Sequence, residues 1–359
     1  MKGHVHDRAS GIARAGVADA LNIRCSWTTT ANGRFANSRQ AAQRDPLTVD
    51  DRPVHTGSST DGTVQGVTVL RTITADGVDI VCALSESIND HDRPLAVCAH
   101  GFPDTAHTWR HLMPRLESAG WRVAAPYLRG YAPSGVPADG CVQTGASALD
   151  MIAVHEQLGG DKRAAIIGHD WGAPITYGAA SHAPDRWSKV VGMAVPPGPA
   201  MATAFLTNPD QLKKSWYMFF FQHPLADMVV PANDLAFIEM IWRDWSPTYN
   251  GQDDVAAVKD SLRNPAHLAA AIGYYRAALG GIGIRDDLAD VQAATSAIPM
   301  QPMLYLHGAA DGCIGAEVAE SARNGLGPTA TIEIVPGLAH FLHLESPDKI
   351  NDRILEFLA

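Results

Sequence analysis

The chain has 359 residues, 46% of them hydrophobic, and a formal net charge of -10. That acidic balance, with no basic run, excludes nucleic acid or an anionic membrane as the main partner and suits a small neutral substrate. The five cysteines (Cys25, Cys82, Cys98, Cys141 and Cys313) are odd in number and scattered, so neither a disulfide framework nor a zinc knuckle is expected; with no signal-like or membrane-length apolar run, the expected location is the cytoplasm.

Residues 1–66, rich in Ala, Arg, Ser, Thr, Gly and Asp, read as a disordered extension, and the His4-x-His6 pair there lacks the further ligands of a metal site. From Val67 strands begin: Val67 to Thr74 and Val78 to Leu84 flank the hairpin signal Ala75-Asp76-Gly77, and Leu95 to Ala99 is a short apolar strand. A helix is expected from about His107 to Ala119, a strand at Trp121 to Ala125, a helix from about Gly145 to Leu158 and a strand at Ala164 to Ile167. This alternation predicts an α/β architecture with a mostly parallel, twisted sheet covered by helices. It stops after Val190 to Val195. The stretch 197–292 carries helical apolar spacing, as in Leu235 to Trp242, and is expected to be an inserted helical lid between two core segments, 67–196 and 293–359. Strands return at Met303 to His307 and Thr331 to Val335, and a helix closes the chain from about Pro347 to Leu358.

Gly168-His169-Asp170-Trp171-Gly172 joins the Ala164 strand to a small-residue helix starting at Ala173, so Asp170 stands where a G-x-S-x-G nucleophile elbow carries serine. A carboxylate attacking an ester carbonyl gives a labile anhydride, whereas the same group attacking saturated carbon gives a stable alkyl ester. Displacement at carbon followed by hydrolysis is the expected chemistry. The second stage needs a histidine base and a carboxylate to orient it, in the order nucleophile, acid, histidine. Asp311 and His340 fit that order in loops after two successive strands. His343 reads as packing at a helix entry, and Asp286, Asp287 and Asp290 as a solvated face. His100-Gly101-Phe102-Pro103-Asp104 follows the Leu95 strand, making the Phe102 and Trp171 N–H groups the candidate oxyanion hole; His100 is expected to be tied to the strand end and Asp104 to cap a turn.

The run HGFPD at 100–104, Arg129-Gly130-Tyr131 and GHDWG at 168–172 resembles, in this order, the epoxide hydrolases of the α/β-hydrolase fold, from about Val67 to the C-terminus. The resemblance implies hydrolysis of an epoxide to a vicinal diol through an aspartyl ester, with no cofactor and no metal. It implies a small apolar epoxide and water as the substrates, and it leaves a homodimer open. It also implies two lid tyrosines that hold and protonate the epoxide oxygen. These correspond to Tyr217 in WYMFFFQHP and Tyr275 in GYYR, with Tyr274 as the alternative for the second. The sequence departs from the family at Ala339 and Ala132, where glycine is frequent.

Haloalkane dehalogenases share the aspartate, histidine and acid, and Trp171 stands where one of their halide-holding indoles would be; Phe102 replaces their second donor. Fluoroacetate dehalogenases carry arginines just after the nucleophile, where this chain has Ala173 and Pro174. A third reading is a hydrolase-fold protein that only binds; such proteins lose a catalytic member, and none is missing here. Gly281-Ile282-Gly283 lacks the third glycine and the strand-to-helix setting of a dinucleotide site.

Overall fold

The computed structural model describes residues 69–359, so His4, His6 and the expected 1–66 extension lie outside the described residues. Eight strands form one sheet: β1 (Val69–Ala75), β2 (Val78–Leu84), β3 (Leu95–Ala99), β4 (Arg122–Pro126), β5 (Ala165–His169), β6 (Lys189–Met193), β7 (Met303–Gly308) and β8 (Ala330–Val335). Their spatial order is β1-β2-β4-β3-β5-β6-β7-β8; the pairs β1-β2 and β2-β4 are antiparallel and the others parallel. Every residue of β3, β4 and β5 is buried, which is why these strands read as continuous apolar runs rather than alternating ones.

Helices cover both faces. Thr144–Gln157 and Gly172–His182 pack on one face, with Met151, Ile175 and Tyr177 in its core. Leu112–Ser118 and Pro347–Leu358 pack on the other, where Leu112, Leu116, Ile350, Ile354 and Leu358 meet Val123 and Ile167. The expected helix from His107 is two elements. A 3₁₀ turn at Ala106–Arg110, capped by Thr105, precedes the α-helix at Leu112, because the segment must drop from the end of β3 to the sheet face.

Between β6 and β7 the chain is helical from Ala200–Thr207 to Ala289–Ala294. The helix read at Leu235 to Trp242 is present from Ala236 onward, but Leu235 itself, with Asn233 and Asp234 before it, holds left-handed backbone angles. Pro231 and the tolerance of Asn and Asp for that region make this break readable in retrospect. No helix of the described residues is long and apolar enough to cross a membrane.

The Arg129-Gly130-Tyr131 turn sits where the sheet meets this helical insert. Arg129 donates from Nε and Nη2 to the two oxygens of Asp150, both at 2.7 Å, and from Nη1 to the Cys141 carbonyl at 3.1 Å, all buried. Gly130 has φ +84°, and a side chain there would strike the Cβ of Ala270 in the insert helix Pro265–Gly280. Breaking a buried, bidentate ion pair strands the remaining charge. Arg129→Ala is therefore expected to lower stability by about 3–5 kcal/mol in urea unfolding, while Arg129→Met with Asp150→Leu recovers most of the loss. A double variant as unstable as the single one would contradict this assignment.

Candidate active site

Four loops at the C-terminal ends of parallel strands converge on one point. Asp170 follows β5, Gly101 and Phe102 follow β3, Asp311 follows β7 and His340 follows β8. This is where an open α/β sheet gathers its functional groups. Asp170 has φ 51°, a left-handed angle that a non-glycine residue adopts only when its surroundings hold it there. Its N–H donates to the Met193 carbonyl, and its own carbonyl accepts from Ala173 at the start of the following helix.

Glycine is required on both sides of this turn. A side chain at Gly172 would overlap the Ala99 carbonyl oxygen, and one at Gly101 would press on the Asp170 carboxylate and reach 2.6 Å from the Trp171 nitrogen. The same closeness brings the Phe102 N–H to Asp170 Oδ1 at 2.7 Å, with the Trp171 N–H beside it. Oδ1 is thus held by backbone, while Oδ2 faces His340 Nε2 at 3.6 Å. On its other side, His340 Nδ1 donates to Asp311 Oδ2 at 3.0 Å. Asp311 Oδ1 accepts from the Cys313 and Ile314 N–H groups at 2.7 and 2.9 Å.

Burial alone would lower the His340 imidazole. The charges of Asp311 and Asp170 outweigh it and hold His340 raised, at about 10. Burial raises Asp311, but His340 overrides it and leaves that carboxyl below its usual value. The resting site is therefore an imidazolium between two carboxylates.

The structure brings Tyr217 and Tyr275 to this point and keeps Tyr274 away from it. Tyr275 packs edge-on against Phe102, Trp171 and Tyr217 at ring separations of 5.2, 5.0 and 5.5 Å, and its hydroxyl has no hydrogen-bond partner among the described residues. The Tyr217 hydroxyl lies 3.3 Å from Cys313 Sγ. Burial raises both phenols well above their ordinary value, so both stay protonated. Tyr274 instead donates to the Arg129 carbonyl and meets Ser147 Oγ, each at 3.0 Å, as a structural tie. His343 is buried against Thr108 at 2.5 Å, Asp287 pairs with Arg285 on the surface, and Asp286 begins a short turn. His100 is fixed between the Gly101 carbonyl and the Leu128 N–H, and Asp104 accepts from the Thr105 N–H at 2.8 Å.

Several residues of the site carried no sequence signal. The Trp245 carbonyl of the insert accepts N–H groups from both Gly312 and His340, at 3.2 and 3.3 Å, so one oxygen ties the acid loop to the histidine loop. Ser246 donates to Glu345, which accepts the Ala339 N–H, and Ser246 Oγ in turn accepts the Phe341 N–H. His169 meets the His340 carbonyl at 2.9 Å. Two surface clefts, one beside His155 and His182 and one beside Lys349 and Arg353, contain no comparable grouping of a histidine between two buried aspartates.

The sequence profile of the alpha/beta hydrolase fold matches residues 94–347. The chain belongs to this family. AB hydrolase superfamily protein YfhM of Bacillus subtilis is 29% identical over 271 residues, 74% of this α/β-hydrolase and 91% of that protein. Epoxide hydrolase 1 of Caenorhabditis elegans is 28% identical over 275 residues, 74% of this chain but 65% of the other, so the chain spans just under two thirds of that relative. The crystal structure of Bacillus megaterium epoxide hydrolase in complex with an inhibitor shares the fold with a TM-score of 0.66 at 23% identity, over 80% of this chain and 99% of that one.

The raised His340 value has a consequence for stability. Its contribution is fully present below about 6.5, the ordinary histidine value, and is lost as pH rises through about 10. The melting-temperature lead of the wild type over His340→Gln should shrink steadily between pH 7 and pH 10. A constant lead across that range would contradict an imidazolium held by two carboxylates.

Proposed function

We propose that this α/β-hydrolase is an epoxide hydrolase that adds water to an epoxide through a covalent ester on Asp170. The observation that carries the reading is the division of labour between the two Asp170 oxygens. Oδ1 sits at the Phe102 N–H, and Oδ2 faces His340 at 3.6 Å. Names among the relatives, including epoxide hydrolase 1 of Caenorhabditis elegans, support it.

In the first step Oδ2 attacks a ring carbon and the C–O bond of the strained ring breaks. The ring oxygen would otherwise leave as an alkoxide, which is unfavourable at neutral pH. Tyr217 and Tyr275, kept protonated by burial, donate to it as its charge develops. Esterification then removes the charge of Asp170. His340 loses one of the two carboxylates that hold it raised, so its value falls; its proton is released and restores the phenol that protonated the ring oxygen, and the neutral imidazole can then take a proton from water. It then activates water against Cγ of the ester. The negative charge of the tetrahedral intermediate forms on Oδ1, which already accepts the Phe102 N–H, and the Trp171 N–H is the second proposed donor. Collapse releases the diol and returns Asp170 with one oxygen from water. None of these steps calls for a metal or an organic cofactor.

One observation favours a second reading. The Trp171 indole N–H is buried without a partner among the described residues, as a halide donor in a dehalogenase would be. Phe102, with no side-chain donor, stands at the position of the second.

The test is product formation by the purified protein and its Asp170→Ala variant, offered apolar epoxides and haloalkanes side by side. Diol that disappears in the variant is expected; halide release without diol would move the assignment to dehalogenation. Single Tyr217→Phe and Tyr275→Phe variants should each lose about 10²–10⁴-fold in the ring-opening rate. Full activity in both would remove the tyrosines from the mechanism. Under single-turnover conditions, hydrolysis of the ester should rise with pH and level off with an apparent value below the about 10 of the resting histidine. A rise continuing to pH 10 would mean that esterification leaves His340 unchanged.

A further inference from the structure

The mechanism leaves one reactive group in the site unused. A carboxylate oxygen of Asp170, a ring nitrogen of His340 and Sγ of Cys313 all lie within 4.8 Å of one another, and all three residues are buried. The Cys313 backbone N–H is held by Asp311 Oδ1 at 2.7 Å, and Sγ rests 3.3 Å from the Tyr217 hydroxyl. His340 Nε2 is buried without a hydrogen bond among the described residues and faces Asp170 Oδ2 at 3.6 Å. Imidazole and carboxylate thus face each other beside the thiol.

We propose that Cys313, His340 and Asp170 form a binding site for a thiophilic divalent cation such as zinc or cadmium, which shuts the enzyme by occupying its nucleophile and its base together. Thiolate, imidazole and carboxylate are the three ligand types such ions take, at roughly 2.0–2.3 Å. Tetrahedral ligands at those bond lengths stand about 3.3–3.8 Å apart, so movements of about an ångström close the set from its present spacing. The Tyr217 hydroxyl or a water fills the fourth position.

A buried cation is costly when uncompensated, and here the carboxylates of Asp170 and Asp311 lie beside the site, at 3.6 and 3.0 Å from the His340 ring. The ion reaches the site by the route an epoxide must take to Asp170. Inhibition should therefore compete with substrate and strengthen as pH rises, since metal binding releases protons.

The inhibitory consequence rests on the epoxide hydrolase reading, whereas the binding does not. The experiment titrates the full chain with cadmium chloride and follows sulfur-to-cadmium charge-transfer absorption and binding heat. Wild type is compared with Cys313→Ser and with Cys141→Ser as a control for the other thiols. One cadmium per chain is expected, with affinity reduced about tenfold or more and the absorption band lost in Cys313→Ser alone. Absence of binding by the wild type, or a band that persists in Cys313→Ser, would overturn the proposal. Cys313→Ala, checked for the wild-type melting temperature, serves if the serine variant fails to fold. Cysteine-dependent binding to a protein that forms no diol would retain the metal site and reject the reaction; diol formation without cadmium binding would do the reverse.

Discussion

Two carboxylates and an imidazole are buried within a few ångströms of one another at the strand ends, and the rest of the structure answers to that fact. Unpaired, each such charge would cost several kcal/mol. Here His340 lies between Asp170 and Asp311, and each carboxylate also receives backbone N–H groups, from Phe102 on one side and from Cys313 and Ile314 on the other. Those donors belong to loops after different strands, so the arrangement exists only when the parallel sheet is in register. The left-handed angle at Asp170 and the glycines at 101 and 172 follow from the same demand: the Asp170 carboxylate must stand clear of its strand while two backbones pass at contact distance.

The helical insert is part of this arrangement rather than an addition to it. It supplies the two phenols above Asp170, and its Trp245 carbonyl holds the loops of Asp311 and His340 to each other. Trp242 extends the clamp, donating to the Pro103 carbonyl and stacking on Phe341 at 3.6 Å. Segments that a linear view separates as core and insert thus share hydrogen bonds around Asp311 and His340. In the proposed cycle the electrostatics of the three charges also set the order of events. While Asp170 is charged, His340 is an acid; once Asp170 is an ester, His340 can act as a base.

The strand-turn-helix around Asp170 was legible because its elements are contiguous: an apolar run, two glycines and a reactive residue at one place in the chain. The placement of Asp311 and His340 in loops after successive strands was legible, as was the parallel sheet through its alternation of strands and helices. Residues that matter through distant partners were not. Trp245, Ser246 and Glu345 are ordinary in sequence, and Glu345 lies about a hundred residues from the serine it meets. Tyr274 and Tyr275 are neighbours on one helix, and only the direction of each side chain, about 100° apart around the axis, separates a structural tie from a group facing Asp170. Cys313 became a candidate ligand only when the loop after Asp311 turned its thiol toward His340. The break at Asn233 to Leu235 was readable and was hidden by the strong apolar spacing that follows it.

The most direct test of the account is one turnover of an epoxide substrate in heavy-oxygen water, followed by peptide mass spectrometry across Asp170 and analysis of the diol. Water that attacks Cγ of the ester leaves its oxygen on the aspartate. The account predicts label in the Asp170 side chain and none in the first diol released. Label in that diol, with Asp170 unlabelled, would mean that water attacks the ring directly, and the covalent route would have to be abandoned.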